Sequence, residues 1–147
     1  MSQFRPFEDG IFIGPQPAPV DLEDARQRGI NTVIDFRLPS ETTTSNETLT
    51  RSSGLDYSNI PVNKAMLSEN QIDDLDAVML TKQGPLLLHC ATGARAGLLL
   101  ALSRARKNGW TADQTFALAK TLGFDLQTSP AYSNFVNQVL KNQRGTQ

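Results

Sequence analysis

The chain has 147 residues, of which 39% are hydrophobic and 20% charged, so it reads as one folded domain over 1–147 rather than a disordered or fibrous protein. A net charge of −1 supplies no basic field for nucleic acid or an anionic membrane, and neither is expected as a partner. The lone cysteine excludes an internal disulfide framework, residues 1–6 hold no apolar signal core and no segment has membrane-span length, so the cytoplasm is the expected compartment.

In chain order, Gly10-Ile11-Phe12-Ile13-Gly14 predicts a short strand between glycines. Pro19 suits a first helical position, Asp21 and Glu23 its first turn and Gly29 its stop. Thr32-Val33-Ile34-Asp35-Phe36 is a β-branched strand. Residues 37–46 are rich in Thr and Ser and predict a loop that adds nothing to a core. Residues 47–53 predict a short helix closed by Gly54, and residues 57–61 another strand.

Ser68-Glu69-Asn70-Gln71 is a capping box that opens a helix to about Lys82, with Ile72, Leu75, Val78 and Met79 on one face. Asp73, Asp74 and Asp76 fall on its solvated side. Leu86-Leu87-Leu88 is apolar throughout, which predicts a central strand covered on both faces. A helix then runs from about Arg95 to Asn108 and stops at Gly109. Thr111 opens a further capped helix to Leu122, closed by Gly123. Ser129-Pro130 opens the last, with Phe135, Val136, Val139 and Leu140 as its apolar face. The pattern predicts an α/β fold with a mostly parallel sheet of four or five strands and a helical C-terminal half.

The chemistry concentrates in His89-Cys90-Ala91-Thr92-Gly93-Ala94-Arg95-Ala96-Gly97. A strand ends at a thiol, turns through small residues and enters a helix beside an arginine. The N–H groups of a helix start attract an anion, and the dipole favours negative charge. Such a site brings a cysteine from about 8.5 to roughly 3.5–7.5. Cys90 is therefore the candidate nucleophile. Arg95 offers a planar fork for two oxygens of an oxyanion. Ala91, Thr92, Gly93, Ala94 and Ala96 are the candidate binding positions, since their small side chains leave the backbone donors open. A lone cysteine is more often a small buried hydrophobe; the glycine and arginine beside it favour the chemical reading. His89 precedes Cys90 in the strand, so its side chain points to the opposite face and reads as structural.

His89-Cys90-x-x-Gly93 resembles the signature of the cysteine-dependent tyrosine and dual-specificity phosphatases. Residues 32–37, 57–62 and Gly109-Trp110-Thr111 with its helix resemble the matching parts of the dual-specificity fold. Residues 14–22 and 89–97 are most similar to the bacterial phosphatase-like domain family also found fused to β-lactamase-like hydrolases. The resemblance covers roughly residues 4–123. It implies a phosphocysteine on Cys90, Arg95 and the loop amides on the phosphate oxygens, and an aspartic acid that protonates the leaving oxygen. It also implies a phosphorylated small molecule or phosphoprotein as partner, with no cofactor.

Three features depart from that pattern. Four residues separate Cys90 from Arg95, where the signature has five. Ala96 stands where a hydroxyl residue is usual. Asn63, followed by Lys64, stands where the resemblance places the acid. Asp35, Glu41 and Glu69 are alternative acids, and spacing selects none. The short loop resembles that of the rhodanese sulfurtransferases, as does Asp35-Phe36-Arg37, so sulfur transfer through a Cys90 persulfide, with a sulfane-sulfur donor and acceptor, is the alternative. A phosphate-recognition module without turnover is a third reading. Arg37 and Lys64, just past strand ends, either widen an anionic surface or are solvated. No spaced His, Cys and carboxylate cluster points to a metal.

Overall fold

The computed structural model describes residues 4–8, 10–42, 46–82 and 84–145, so Thr43, Thr44 and Ser45 of the polar loop lie outside the described residues. Five strands form one sheet: β1 (Arg5–Glu8), β2 (Ile11–Gly14), β3 (Thr32–Asp35), β4 (Asp56–Asn59) and β5 (Leu86–His89), in the order β1-β2-β5-β3-β4. Only β1 runs antiparallel; the other neighbours pair in parallel. Among the described residues six α-helices accompany the strands: α1 (Pro19–Gln27), α2 (Asn46–Ser52), α3 (Glu69–Thr81), α4 (Ala94–Asn108), α5 (Ala112–Thr121) and α6 (Pro130–Gly145). The α/β class, the strand count and the helical C-terminal half agree with the sequence pattern.

The period-2 alternation of the strands sorts side chains into two layers. Ile34, Phe36, Leu86, Leu88 and Cys90 face the larger core, which α3, α4, α5 and α6 complete. Val33 and Leu87 face the smaller core with Leu22 and Ala25 of α1, while Leu49 of α2 packs against it. The central strand β5 is buried along its whole length. Helix α4 behind it buries nine residues, Leu98, Leu99, Leu100 and Leu102 among them, and so is a core helix rather than an amphipathic surface one.

Local signals act as their chemistry dictates. The Ser68 hydroxyl accepts from the Asn70 N–H while the Gln71 side chain accepts from the Ser68 N–H. Thr111 and Gln114 make the same reciprocal pair. Asp73 and Asp76 do more than face solvent. Both accept hydrogen bonds from Arg106 of α4, and Asp76 also accepts from the Ser103 hydroxyl, so they fasten α3 to α4. Among the described residues, no helix is long and apolar enough to cross a membrane.

The larger correction concerns residues 37–46. Arg37 and Asn46 are buried at 2% and 6% exposure, against the expectation of a loop outside the core. The cause is Asp35, itself buried at the end of β3. A carboxylate there must be paired or hydrogen-bonded to remain charged. Arg37 donates to it from its backbone N–H and twice from its guanidinium, at 3.0, 3.1 and 3.2 Å. The Asn46 side chain donates at 2.9 Å and the Tyr57 hydroxyl at 2.8 Å. Arg37 is thus neither a solvated charge nor part of an anionic surface.

Candidate active site

Cys90 lies just past the C-terminal end of β5, which is flanked by β2 and β3 in the middle of the sheet. Open α/β sheets bind ligands at this place, outside the carboxyl ends of the strands where the strand order reverses. The thiol is buried, and the Gly93 N–H donates to its Sγ at 3.1 Å. Gly93 forms the N-cap of α4 with φ +102°, a left-handed conformation natural to glycine. Its missing side chain also makes room: a Cβ there would meet the Phe124 ring at 2.7 Å. Gly97, one turn on, meets the same ring, so Phe124 clamps the loop to the start of α4.

The rest of the loop is as small as the sequence implies. Ala91 and Thr92 are exposed, Ala94 is partly covered and Ala96 is buried. The Thr92 hydroxyl accepts from the Ala94 N–H at 3.3 Å. Ala96 points its methyl into the larger core and could reach a ligand only through its N–H. In the first turn of α4 the Thr92 hydroxyl takes the Ala94 N–H, while the Arg95 and Ala96 N–H groups have no i−4 carbonyl within the helix.

Arg95 is held by Glu41. The two terminal guanidinium nitrogens donate to the two carboxylate oxygens at 2.7 Å each. Nη1 also donates to the Val62 carbonyl at 3.0 Å. A guanidinium has five N–H donors. These contacts use three, and leave Nε–H and one Nη2–H on the remaining edge, a fork for two oxygens, with no partner among the described residues. The hydrogen bonds with Arg95, aided by the Leu38 N–H, pull Glu41 down to about 2. The same pairing raises Arg95. Glu41 closes a short 3₁₀ turn over Pro39–Glu41, and the Pro-x-Glu spacing was the sequence signal for it.

The other acid candidates fall elsewhere. Burial opposes the ionisation of Asp35, but the hydrogen bonds from Arg37 and Tyr57 and the field of His89 outweigh it and hold the carboxyl below its ordinary range. Asp35 sits on the face opposite Cys90, in register with His89. There the Asn46 amide meets His89 Nε2 at 3.3 Å, and His89 Nδ1 lies 3.8 Å from Asp35. Burial lowers His89 to about 4, so it is neutral at physiological pH. Glu69 lies 4.0 Å from Arg106. That arginine is twelve residues beyond Ala94 on α4, or about 18 Å along the axis. Asn63 accepts from the Ala65 N–H at 2.9 Å and caps a 3₁₀ turn over Lys64–Met66.

Lys64 is exposed, as a solvated loop charge would be, but it also has a ring partner. Its ammonium sits 4.8 Å from the centre of the Tyr132 ring. Tyr132 comes from α6, is 9% exposed and belongs to the same core as Cys90. Sequence reasoning gave it no role, because nothing in residues 130–145 signals which strand end the helix returns to. Among the described residues no group of three His, Cys, Asp or Glu side chains is placed to hold a metal.

The fold around this loop is that of the dual-specificity and tyrosine phosphatases. The chain belongs to the family described as beta-lactamase hydrolase-like protein, phosphatase-like domain, which matches residues 3–107. Beta-lactamase hydrolase-like proteins of Xylella fastidiosa and Agrobacterium fabrum are 29% identical to it over 121 residues, 79% of this chain. The chain spans about 28% of the length of those relatives. The DUF442 protein of Shewanella putrefaciens CN-32 is similar in structure, with TM-score 0.78 and 18% identity over 97% of this chain and 93% of that one. The core catalytic domain of the PP-IP phosphatase SIW14 from S. cerevisiae, in complex with citrate, gives TM-score 0.74 and 15% identity over 97% and 91%. P. aeruginosa TpbA in complex with pTyr gives TM-score 0.72 and 17% identity over 92% and 84%.

Proposed function

We propose that this chain hydrolyses phosphate esters through a phosphocysteine on Cys90. The observation that carries the reading is the loop itself: the Gly93 N–H on the Cys90 sulfur, with Arg95 five positions on and held so that one guanidinium edge stays free. The thiolate attacks phosphorus as the ester P–O bond breaks. The free Arg95 edge and the amides at the start of α4 bind the oxygens on which charge develops. Water then attacks phosphorus, the S–P bond breaks, and inorganic phosphate and the thiolate are regenerated. Family membership and the shared fold support this reading. A phosphorylated small molecule or a phosphoprotein is the substrate class.

One observation favours a second reading. The four-residue gap between Cys90 and Arg95 makes a tighter cradle than the signature, as a persulfide carrier would need. One preparation assayed against an aryl phosphate, and against thiosulfate with cyanide, separates the two. Turnover of the phosphate and a phosphate-mass adduct on acid-quenched protein are expected, both abolished in Cys90→Ser. Thiocyanate production without phosphate release would replace the phosphatase reading with sulfur transfer. A stable adduct that never turns over would make the chain a phosphate-recognition module. Arg95→Lys keeps the charge but loses the two-oxygen edge, and should lose about 10²-fold in kcat/KM.

A further inference from the structure

The phosphatase reading leaves the leaving-group proton without a donor. Asn63 cannot supply it, and its carbonyl oxygen is engaged in capping the turn that follows. Glu41 is committed to Arg95 and Leu38. Asp35 lies in the opposite layer, and Glu69 is fastened toward the far end of α4. Asp125 follows Phe124 but is exposed, and the groups whose charge acts on Arg95 are Glu41, Cys90 and Tyr132.

We propose that Tyr132 donates this proton, and that Lys64 steadies the tyrosinate it leaves behind. Four observations converge on it. The ring is buried in the core that holds Cys90. Its hydroxyl lies within the fields of Arg95, Cys90 and Glu41. That hydroxyl makes no hydrogen bond among the described residues, so it is available to a ligand oxygen. Helix α6 packs onto the turn that carries Lys64 and brings the ammonium over the ring face. A cation over a tyrosine ring is attracted by its electrons, and more so as negative charge develops there. Burial keeps the hydroxyl above its ordinary range, so it is protonated at every physiological pH.

This inference rests on the phosphatase reading. The S–P bond forms as the P–O bond breaks, the bonding pair goes to the leaving oxygen, and the Tyr132 proton moves onto it. Water gives its proton to the tyrosinate as its oxygen attacks phosphorus, and the S–P bond then breaks. Tyrosine is among the side chains that perform general acid catalysis, which is typically worth 10²–10⁴-fold. A donor this weak helps most where the leaving oxygen is most basic. The substrate class it suits is therefore the alkyl phosphate, including phosphoserine.

The test compares kcat/KM of the intact chain for phosphoserine and for nitrophenyl phosphate, whose leaving group needs little protonation. Tyr132→Phe keeps the ring, and should lose about 10²-fold on phosphoserine but less than about threefold on nitrophenyl phosphate. Lys64→Gln should show the same contrast in smaller measure. An equal loss on both esters marks Tyr132 as structural and overturns the proposal, as does no loss on either. The contrast appearing in Asp125→Asn instead also overturns it. A wild-type chain that hydrolyses neither ester rejects the phosphatase reading itself, a result distinct from all of these.

Discussion

Glu41 grips Arg95 end-on, through both terminal nitrogens, and so leaves the Nε–H and Nη2–H edge for a ligand. A carboxylate beside a candidate phosphate-binding arginine would ordinarily be taken for a competitor. The edge it uses makes it a support. It fixes the rotation of a long side chain before substrate arrives, which removes an ordering cost from binding.

Glu41→Gln therefore separates the two roles by sign. Hydrogen bonds to charged groups contribute about 1.5–3 kcal/mol each, and a carboxamide oxygen replaces only one of the two. Loss of support should lower kcat/KM about tenfold and weaken competitive inhibition by inorganic phosphate to a similar degree. Tighter phosphate binding in the variant would show that Glu41 competes for the fork.

Gly93→Ala tests the loop. The new methyl must adopt φ +102° and meets Phe124 at 2.7 Å, so strain and overlap act together. A non-glycine residue in a disfavoured backbone region costs about 1–3 kcal/mol. For a chain of this length that is a drop of several degrees in melting temperature, roughly 2–4 °C per kcal/mol. Gly93→Ala with Phe124→Leu should recover the overlap part alone. Full recovery of Tm in the double variant would show that the backbone conformation carries no cost.

The strand–loop–helix unit was legible because each of its parts is a local pattern. Leu86-Leu87-Leu88 reads as a covered strand, and Gly93 and Gly109 bracket the run that follows. The site's supports were not, because each comes from a distant segment. Glu41 reaches Arg95 across 54 positions and Val62 across 33. Tyr132 reaches the site only because α6 folds back over the Lys64 turn. Residues 37–46 misled for another reason. Polar composition predicts solvent, but Asp35 at a buried strand end gathers its partners inward, and Arg37 and Asn46 are those partners.

Stability should fall on acidification, and His89 gives the window. Its value drops from 6.5 to about 4 on folding, chiefly through burial, so the unfolded chain binds the proton more tightly. The stabilisation is complete above about pH 6.5 and is lost as pH falls toward 4. The slope approaches about 1.4 kcal/mol per pH unit and the total about 3 kcal/mol. Asp35, lowered from 3.8, acts in the same direction at still lower pH. Urea unfolding at pH 7.5, 5.5 and 4.5 measures this. His89→Gln should flatten the dependence between the first two. An unchanged slope in that variant would place the titrating group elsewhere.

The Asp35–Arg37 pair, with side chains 3% and 2% exposed, should govern stability and not turnover. Removing one partner of a buried ion pair strands the other charge, at a cost of about 3–5 kcal/mol, whereas replacing both is far milder. Arg37→Met should therefore be severe, and Arg37→Met with Asp35→Asn less severe than Arg37→Met alone, since asparagine still accepts from Tyr57. Unfolding free energies for the two single variants and the double give the coupling directly, and additive losses would deny the pair. Activity makes the second cut. Asp35 and Cys90 face opposite layers, so the folded double variant should keep kcat/KM within about threefold of wild type, as independent sites do. A loss of 10²-fold at a temperature where the variant is folded would mean that the network beneath the sheet takes part in the chemistry above it.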